Sequence, residues 1–142
     1  MQKDWSHHTV LIVEDDDISK KYFDIILASS KINIIHVSDG VSAFVKCMND
    51  TSISLVLMDI KIPKLNGRDT TKLIKKYRPG IPVVAQTASA LNYERELCLK
   101  FGCDGFIAKP IIPNDLLNLI EKVLVLKSVS AYTHLASVMS VN

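Results

Sequence analysis

Five short and mostly unbroken apolar runs, each followed by a longer stretch of helical spacing, constrain this chain more than any other feature. The runs are Val10–Val13 (VLIV), Asn33–Val37 (NIIHV), Leu55–Met58 (LVLM), Val83–Ala85 (VVA) and Phe106–Ala108 (FIA). Continuous rather than alternating apolar residues suit parallel strands buried on both faces. Between them lie DISKKYFDIILASS, DGVSAFVKCMND, GRDTTKLIKKYRPG, LNYERELCLKFG and PNDLLNLIEKVLVLK. In the first of these, Ile18, Tyr22, Ile25 and Ile26 recur three to four apart; in the second, Val41, Phe44, Val45 and Met48 do the same. Gly80 and Gly102 follow helical runs, and Pro113 stands where a first helical turn begins. The pattern is five βα units in succession, which implies a parallel sheet with helices on both sides.

The bulk properties agree with one such domain. The chain has 142 residues, 48% of them hydrophobic and 23% charged, which excludes a disordered polar chain. A net charge of +2 gives no electrostatic case for nucleic acid or a membrane surface. No apolar run approaches the ~20 residues of a membrane span. Cys47, Cys98 and Cys103 are odd in number and lack metal-ligand spacing, so a reducing, cytoplasmic setting is expected.

In an open parallel sheet, ligands gather at the carboxyl ends of the strands. The first run ends in Glu14-Asp15-Asp16, the third in Asp59, the fourth at Thr87 and the fifth at Lys109-Pro110. One edge of the sheet thus collects an acid cluster, a further carboxylate, a hydroxyl and an ammonium. That set fits phosphoryl transfer to a carboxylate. Asp59 is a nucleophile able to form an acyl phosphate. An anionic carboxylate attacks an anionic phosphoryl group only with help, and Mg²⁺ with its hard oxygen ligands supplies it. Asp15 and Asp59 are candidate direct ligands, with Glu14 nearby and the Lys61 carbonyl as a backbone ligand. Three carboxylates balance one Mg²⁺ and one Lys. Lys109 and Thr87 then face the transferring oxygens.

The order and spacing of LIVEDD, LVLMDIKIPKLNG, VVAQTASA and DGFIAKP resemble response-regulator receiver domains of two-component signalling, over Thr9 to Lys127. The resemblance implies a flavodoxin-like (βα)5 doubly wound sheet with strand order 2-1-3-4-5. It implies that Asp59 takes phosphate from a phosphohistidine on a histidine kinase or histidine phosphotransfer domain, and that Glu14 and Asp15 hold Mg²⁺. It further implies that Thr87 and Phe106 form a switch, that Lys109-Pro110 is a cis peptide, and that activity is limited to self-phosphorylation and autodephosphorylation at Asp59. The face of the fourth and fifth βα units is then the output surface and a homodimer contact. Lys61 occupies a position that varies in the family and tunes dephosphorylation. Phe106 replaces the Tyr often found at the switch. Ala88 leaves the phosphoryl pocket open, and Ser89 has no evident role against water.

Simpler readings accompany several of these. Asp16 and Asp17 suit a helix start, and Phe106 suits either core packing or a moving aromatic. His7 and His8 have no clustered partners. Phe23 and Leu27, with Leu117, Val125 and Leu126, either widen the core or form a docking face for the phosphodonor or a second copy. A dehalogenase-type phosphatase carries an Asp where this chain has Lys61, and a flavin module would not place four acids in its phosphate loop. Residues 1–8 are expected as a leader or linker, 9–127 as the receiver domain and 128–142 as a tail or linker. The leader KDWSHHTVLIVEDD resembles the junction before a receiver fused to a sensor histidine kinase. No nucleic-acid contact by this domain and no direct membrane contact are expected.

Overall fold

A computed structural model describes residues 3–88 and 92–139. The five runs become β1 (Thr9–Val13), β2 (Asn33–Val37), β3 (Ile53–Asp59), β4 (Val83–Thr87) and β5 (Gly105–Ala108). Between and after them lie α1 (Asp17–Leu27), α2 (Gly40–Asn49), α3 (Gly67–Tyr77), α4 (Asn92–Lys100) and α5 (Pro113–Met139). All strand pairs are parallel, in the order β2-β1-β3-β4-β5. This is the flavodoxin-like architecture expected from the sequence. No helix among the described residues is long and apolar enough to cross a membrane.

The period-two alternation of each strand divides the core between two faces. Val10, Ile12, Leu55, Leu57, Val84 and Ile107 pack with α1 and α5. Leu11, Val13, Val56, Met58 and Val83 pack with α2 and α3, and Ala85 joins Cys98 of α4 and Phe101 just after it. β1, β3 and β4 are buried along their whole length, as continuous apolar runs require. β2 is an edge strand and only half-buried, so NIIHV tolerates His36, whose ring bonds Asp24 at 2.7 Å.

Helix starts follow their caps. Asp16 accepts from the Ser19 N–H at 3.0 Å, Asp39 from the Ser42 N–H at 2.8 Å, and Asn66 from the Asp69 N–H at 2.9 Å. Asp16 and Asp17 therefore do start a helix. α4 ends in a Schellman turn. Gly102, at φ +96°, donates to Leu99 O, and the Cys103 N–H reaches back to Cys98 O, each at 3.2 Å. Burial pushes the Cys103 thiol up to about 12 and the Cys47 thiol up to about 11, which suits reduced, unreactive sulfur.

Two expectations about helix faces are corrected. In α1 the core stripe is Phe23, Ile26 and Leu27, while Ile18 and Ile25 are 78% and 75% exposed. Phe23 and Leu27 are therefore core residues and not docking candidates. In α2, Ala43 and Cys47 are buried and Val41 and Val45 face solvent. Both helices carry two apolar stripes, and only packing decides which one meets the sheet. Leu117 packs against the core, whereas Val125 and Leu126 are exposed.

The ends also pack onto the domain. Trp5 is buried in the α1–α5 core, and its N–H donates to Ser30 O at 2.7 Å. Lys3 pairs with Glu121 of α5. The segment expected as a leader is thus held to the fold from Lys3 onward. α5 runs past Lys127 without a break.

Gly67 begins α3 directly behind β3. A Cβ built there would lie 2.5 Å from the Asp59 carbonyl oxygen and 2.7 Å from Ile60 Cα. Gly67→Ala should cost about 1–3 kcal/mol through this overlap and lower Tm by several degrees in thermal denaturation; an unchanged Tm would contradict the contact.

Candidate functional site

The carboxyl ends of β1, β3, β4 and β5 open into a cavity of about 490 Å³. Its walls include Glu14, Asp15, Asp59, Lys61, Thr87, Ala88 and Lys109. The chain thereby brings together every predicted phosphoryl-site residue that the described segment contains. Ser89 lies outside the described residues, so the expectation about it finds no structural counterpart.

Asp59 closes β3 and is 5% exposed. Its Oδ1 accepts from the Lys61 N–H at 3.0 Å, and its Oδ2 accepts from the Lys109 ammonium at 3.0 Å. Glu14, one residue beyond β1, is 1% exposed. Its Oε1 accepts from the Asp16 N–H at 3.2 Å, while its Oε2, buried and without a hydrogen-bond partner, lies 3.6 Å from Lys109 Nζ. Asp15 is exposed at the rim. Oxygens of Glu14, Asp15 and Asp59 all lie within 4.8 Å of one another, a donor set for a hard divalent cation. The buried orphan Oε2 fits such an ion. Burial first, and the neighbouring Asp59 second, raise the Glu14 carboxyl above its ordinary range. For Lys109, burial pulls downward, but the pairs with Asp59 and Glu14 prevail and hold its pKa raised.

Thr87 ends β4, is nearly buried, and its carbonyl accepts from the Lys109 N–H at 2.8 Å. Lys109-Pro110 is cis. Phe106 pairs in register with Ala85 and is half-buried beside the Cys98, Phe101 and Cys103 cluster. The Arg95 guanidinium carbon stands 4.8 Å from its ring centroid, a cation–π stack at the α4–β5 face. His8 hydrogen-bonds Ser54 at 3.1 Å, away from the acid cluster.

Three polar lining residues escaped the sequence reading: Ser19, Arg68 and Gln86. Ser19 and Arg68 give no local signal, since each sits in the first turn of an amphipathic helix. Gln86 did carry one: it is a carboxamide inside the buried strand VVAQT.

A carboxyl whose folded pKa stands above its unfolded value contributes stability below the unfolded pKa and loses it as pH rises through the folded value. Glu14 is such a group. Glu14→Gln should raise the Tm of metal-free protein near neutral pH by roughly 2–5 °C and flatten the loss of stability with rising pH. Calorimetry across the acid-to-neutral range checks this, and a lower Tm for the variant would contradict it.

Comparison with known proteins agrees with this geometry. The family model described as "Response regulator receiver domain" matches residues 10–121. The "Polar-differentiation response regulator DivK" of Brucella ovis is 33% identical over 105 residues, 72% of this chain and 85% of that protein. The "Uncharacterized transcriptional regulatory protein YcbL" of Bacillus subtilis is 37% identical over 100 residues, 70% of this chain but only 43% of that longer protein. The crystal structure of the receiver domain of sensor histidine kinase PA1611 from Pseudomonas aeruginosa PAO1, with a magnesium ion coordinated in its active site cleft, superposes with a TM-score of 0.76. It has 28% identity and covers 82% of this chain and 97% of that one.

Proposed function

The chain belongs to the response regulator receiver domain family, and on that footing we propose that Asp59 accepts a phosphoryl group from the phosphohistidine of a histidine kinase or histidine phosphotransfer domain. The observation that carries this reading is the buried Asp59 carboxylate, 3.0 Å from Lys109 Nζ and clustered with oxygens of Glu14 and Asp15. Glu14, Asp15, Asp59 and the Lys61 carbonyl would hold Mg²⁺. When bound, the ion supplies positive charge that offsets the carboxylates and the incoming phosphoryl oxygens.

The chain's own groups do the rest. A carboxylate oxygen of Asp59 attacks phosphorus, the P–N bond of the phosphoimidazole breaks, and its electron pair stays on the ring nitrogen. The Lys61 N–H keeps Asp59 Oδ1 in place during the attack. The Lys109 ammonium turns from Asp59 toward the new phosphoryl oxygens, and Thr87 offers its hydroxyl to another. Thr87 ends the strand next to β5, so its movement opens space for Phe106 to turn inward, away from Arg95. Domain bounds near residues 9–127 suit this unit, with Trp5 adding a contact from the preceding segment.

Docking of the phosphodonor is assigned to the outer face of α1. Ile18, Ile25 and, after β5, Ile112 are exposed, and the Tyr22 hydroxyl ties α1 to Ile111 O at 2.9 Å. The face adjoins the cleft because Ser19 of α1 lines it.

Incubation with acetyl phosphate and Mg²⁺ should add one phosphoryl group by mass, and Asp59→Asn or chelation should abolish the gain. Unmodified wild-type protein would sink the reading. Lys109→Ala should slow labelling roughly hundredfold. Ile18→Glu with Ile25→Glu should weaken transfer from a phosphohistidine domain about tenfold yet leave acetyl phosphate labelling intact; equal loss with both donors would refute the docking face.

A further inference from the structure

Four polar side chains continue the sheet face that α1 and α5 cover. Glu14 stands two residues past Ile12, Asp59 two past Leu57, Gln86 two past Val84 and Lys109 two past Ile107, and all four apolar predecessors lie in the α1–α5 core. Strand register sets Asp59 beside Gln86, and Gln86 beside Ile107. Lys109 makes ion pairs with both Glu14 and Asp59. Gln86 does not join them. Its carboxamide is 1% exposed, and neither Nε2 nor Oε1 has a hydrogen-bond partner. A buried amide in that state is destabilising and calls for a role.

The surroundings indicate the role. Gln86 and Lys109 together line the phosphoryl cavity and also a second cavity of about 200 Å³, formed with Tyr22, Phe23, Pro110 and Ile111. An ammonium has three donors. Lys109 uses one on Asp59 Oδ2 at 3.0 Å and directs another toward Glu14 Oε2 at 3.6 Å. Phosphorylation of Asp59 to the acyl phosphate removes charge from its carboxylate and weakens the first of these. Gln86 Oε1 is a neighbouring acceptor that adds no negative charge to a site already holding three carboxylates.

We propose that Gln86 is a positioning residue for Lys109: its Oε1 accepts a hydrogen bond from the ammonium as the phosphoryl group arrives and holds that ammonium over the phosphoryl oxygens. This deepens the phosphoacceptor reading and rests on it. The unsatisfied Oε1 is a standing cost of the unphosphorylated state, removed when Lys109 turns.

Beryllofluoride with Mg²⁺ is the probe, with affinities measured by tryptophan fluorescence or calorimetry. Gln86→Leu should bind it roughly tenfold to hundredfold more weakly, keep wild-type affinity for Mg²⁺ alone, and show a raised Tm. In a Lys109→Ala background, Gln86→Leu should have no further effect on beryllofluoride affinity. Gln86→Met, which keeps length and loses the strong acceptor, should repeat the result if the Leu variant folds poorly. Unchanged beryllofluoride affinity in both variants, an additive loss on top of Lys109→Ala, or a parallel loss of Mg²⁺ affinity would each overturn the assignment. Wild-type protein that fails to bind beryllofluoride would strike the phosphoacceptor reading itself, which keeps the two failures distinct.

Discussion

Two buried carboxylates at the ends of neighbouring strands share one ammonium, and the site is organised around that imbalance. Glu14 and Asp59 both face Lys109, at 3.6 and 3.0 Å, in a place where water does little to separate like charges. Parallel strand order creates the problem, since it brings the ends of β1, β3, β4 and β5 to one edge. It also supplies partial remedies. The Asp16 N–H braces Glu14, the Lys61 N–H braces Asp59, and Asp15 stays at the wet rim. None of these cancels the excess charge, so the cleft is held in a state that a cation improves.

Much of this was legible in the residues. Strand positions followed from continuous apolar runs, and the site followed from asking what each run ended in. The doubly wound arrangement, the helix start at Asp16 and Asp17 and the meeting of Asp59 with Lys109 all come from backbone periodicity and connection rules, which are local or topological. The α1 face was not legible in the same way. Ile18 and Ile25 make as good a stripe as Phe23, Ile26 and Leu27, and a 3.6 period alone cannot choose between them. The choice comes from docking on the sheet, where Phe23 fills the core and Tyr22 reaches Ile111. Gln86 escaped for a related reason: a polar residue in a strand gains meaning only when its neighbours across the sheet are known.

The segment before β1 shows how few residues are needed to tie a chain end down. Trp5 contributes apolar area to the α1–α5 core, and one backbone hydrogen bond to Ser30 sets its approach. The same core lies beneath Glu14, Asp59, Gln86 and Lys109. The packing of Trp5 and the alignment of the site therefore draw on one shared layer, and damage to that layer reaches both.

α5 has a mechanical side. It begins at Pro113, four residues beyond Lys109, and continues through Met139. Beyond Lys127, where Lys127 Nζ still touches Ser54 O, the remaining turns add roughly 18 Å of axis at 1.5 Å per residue. An unbroken rod of that length turns any small tilt of its packed part into a larger sweep at its far end.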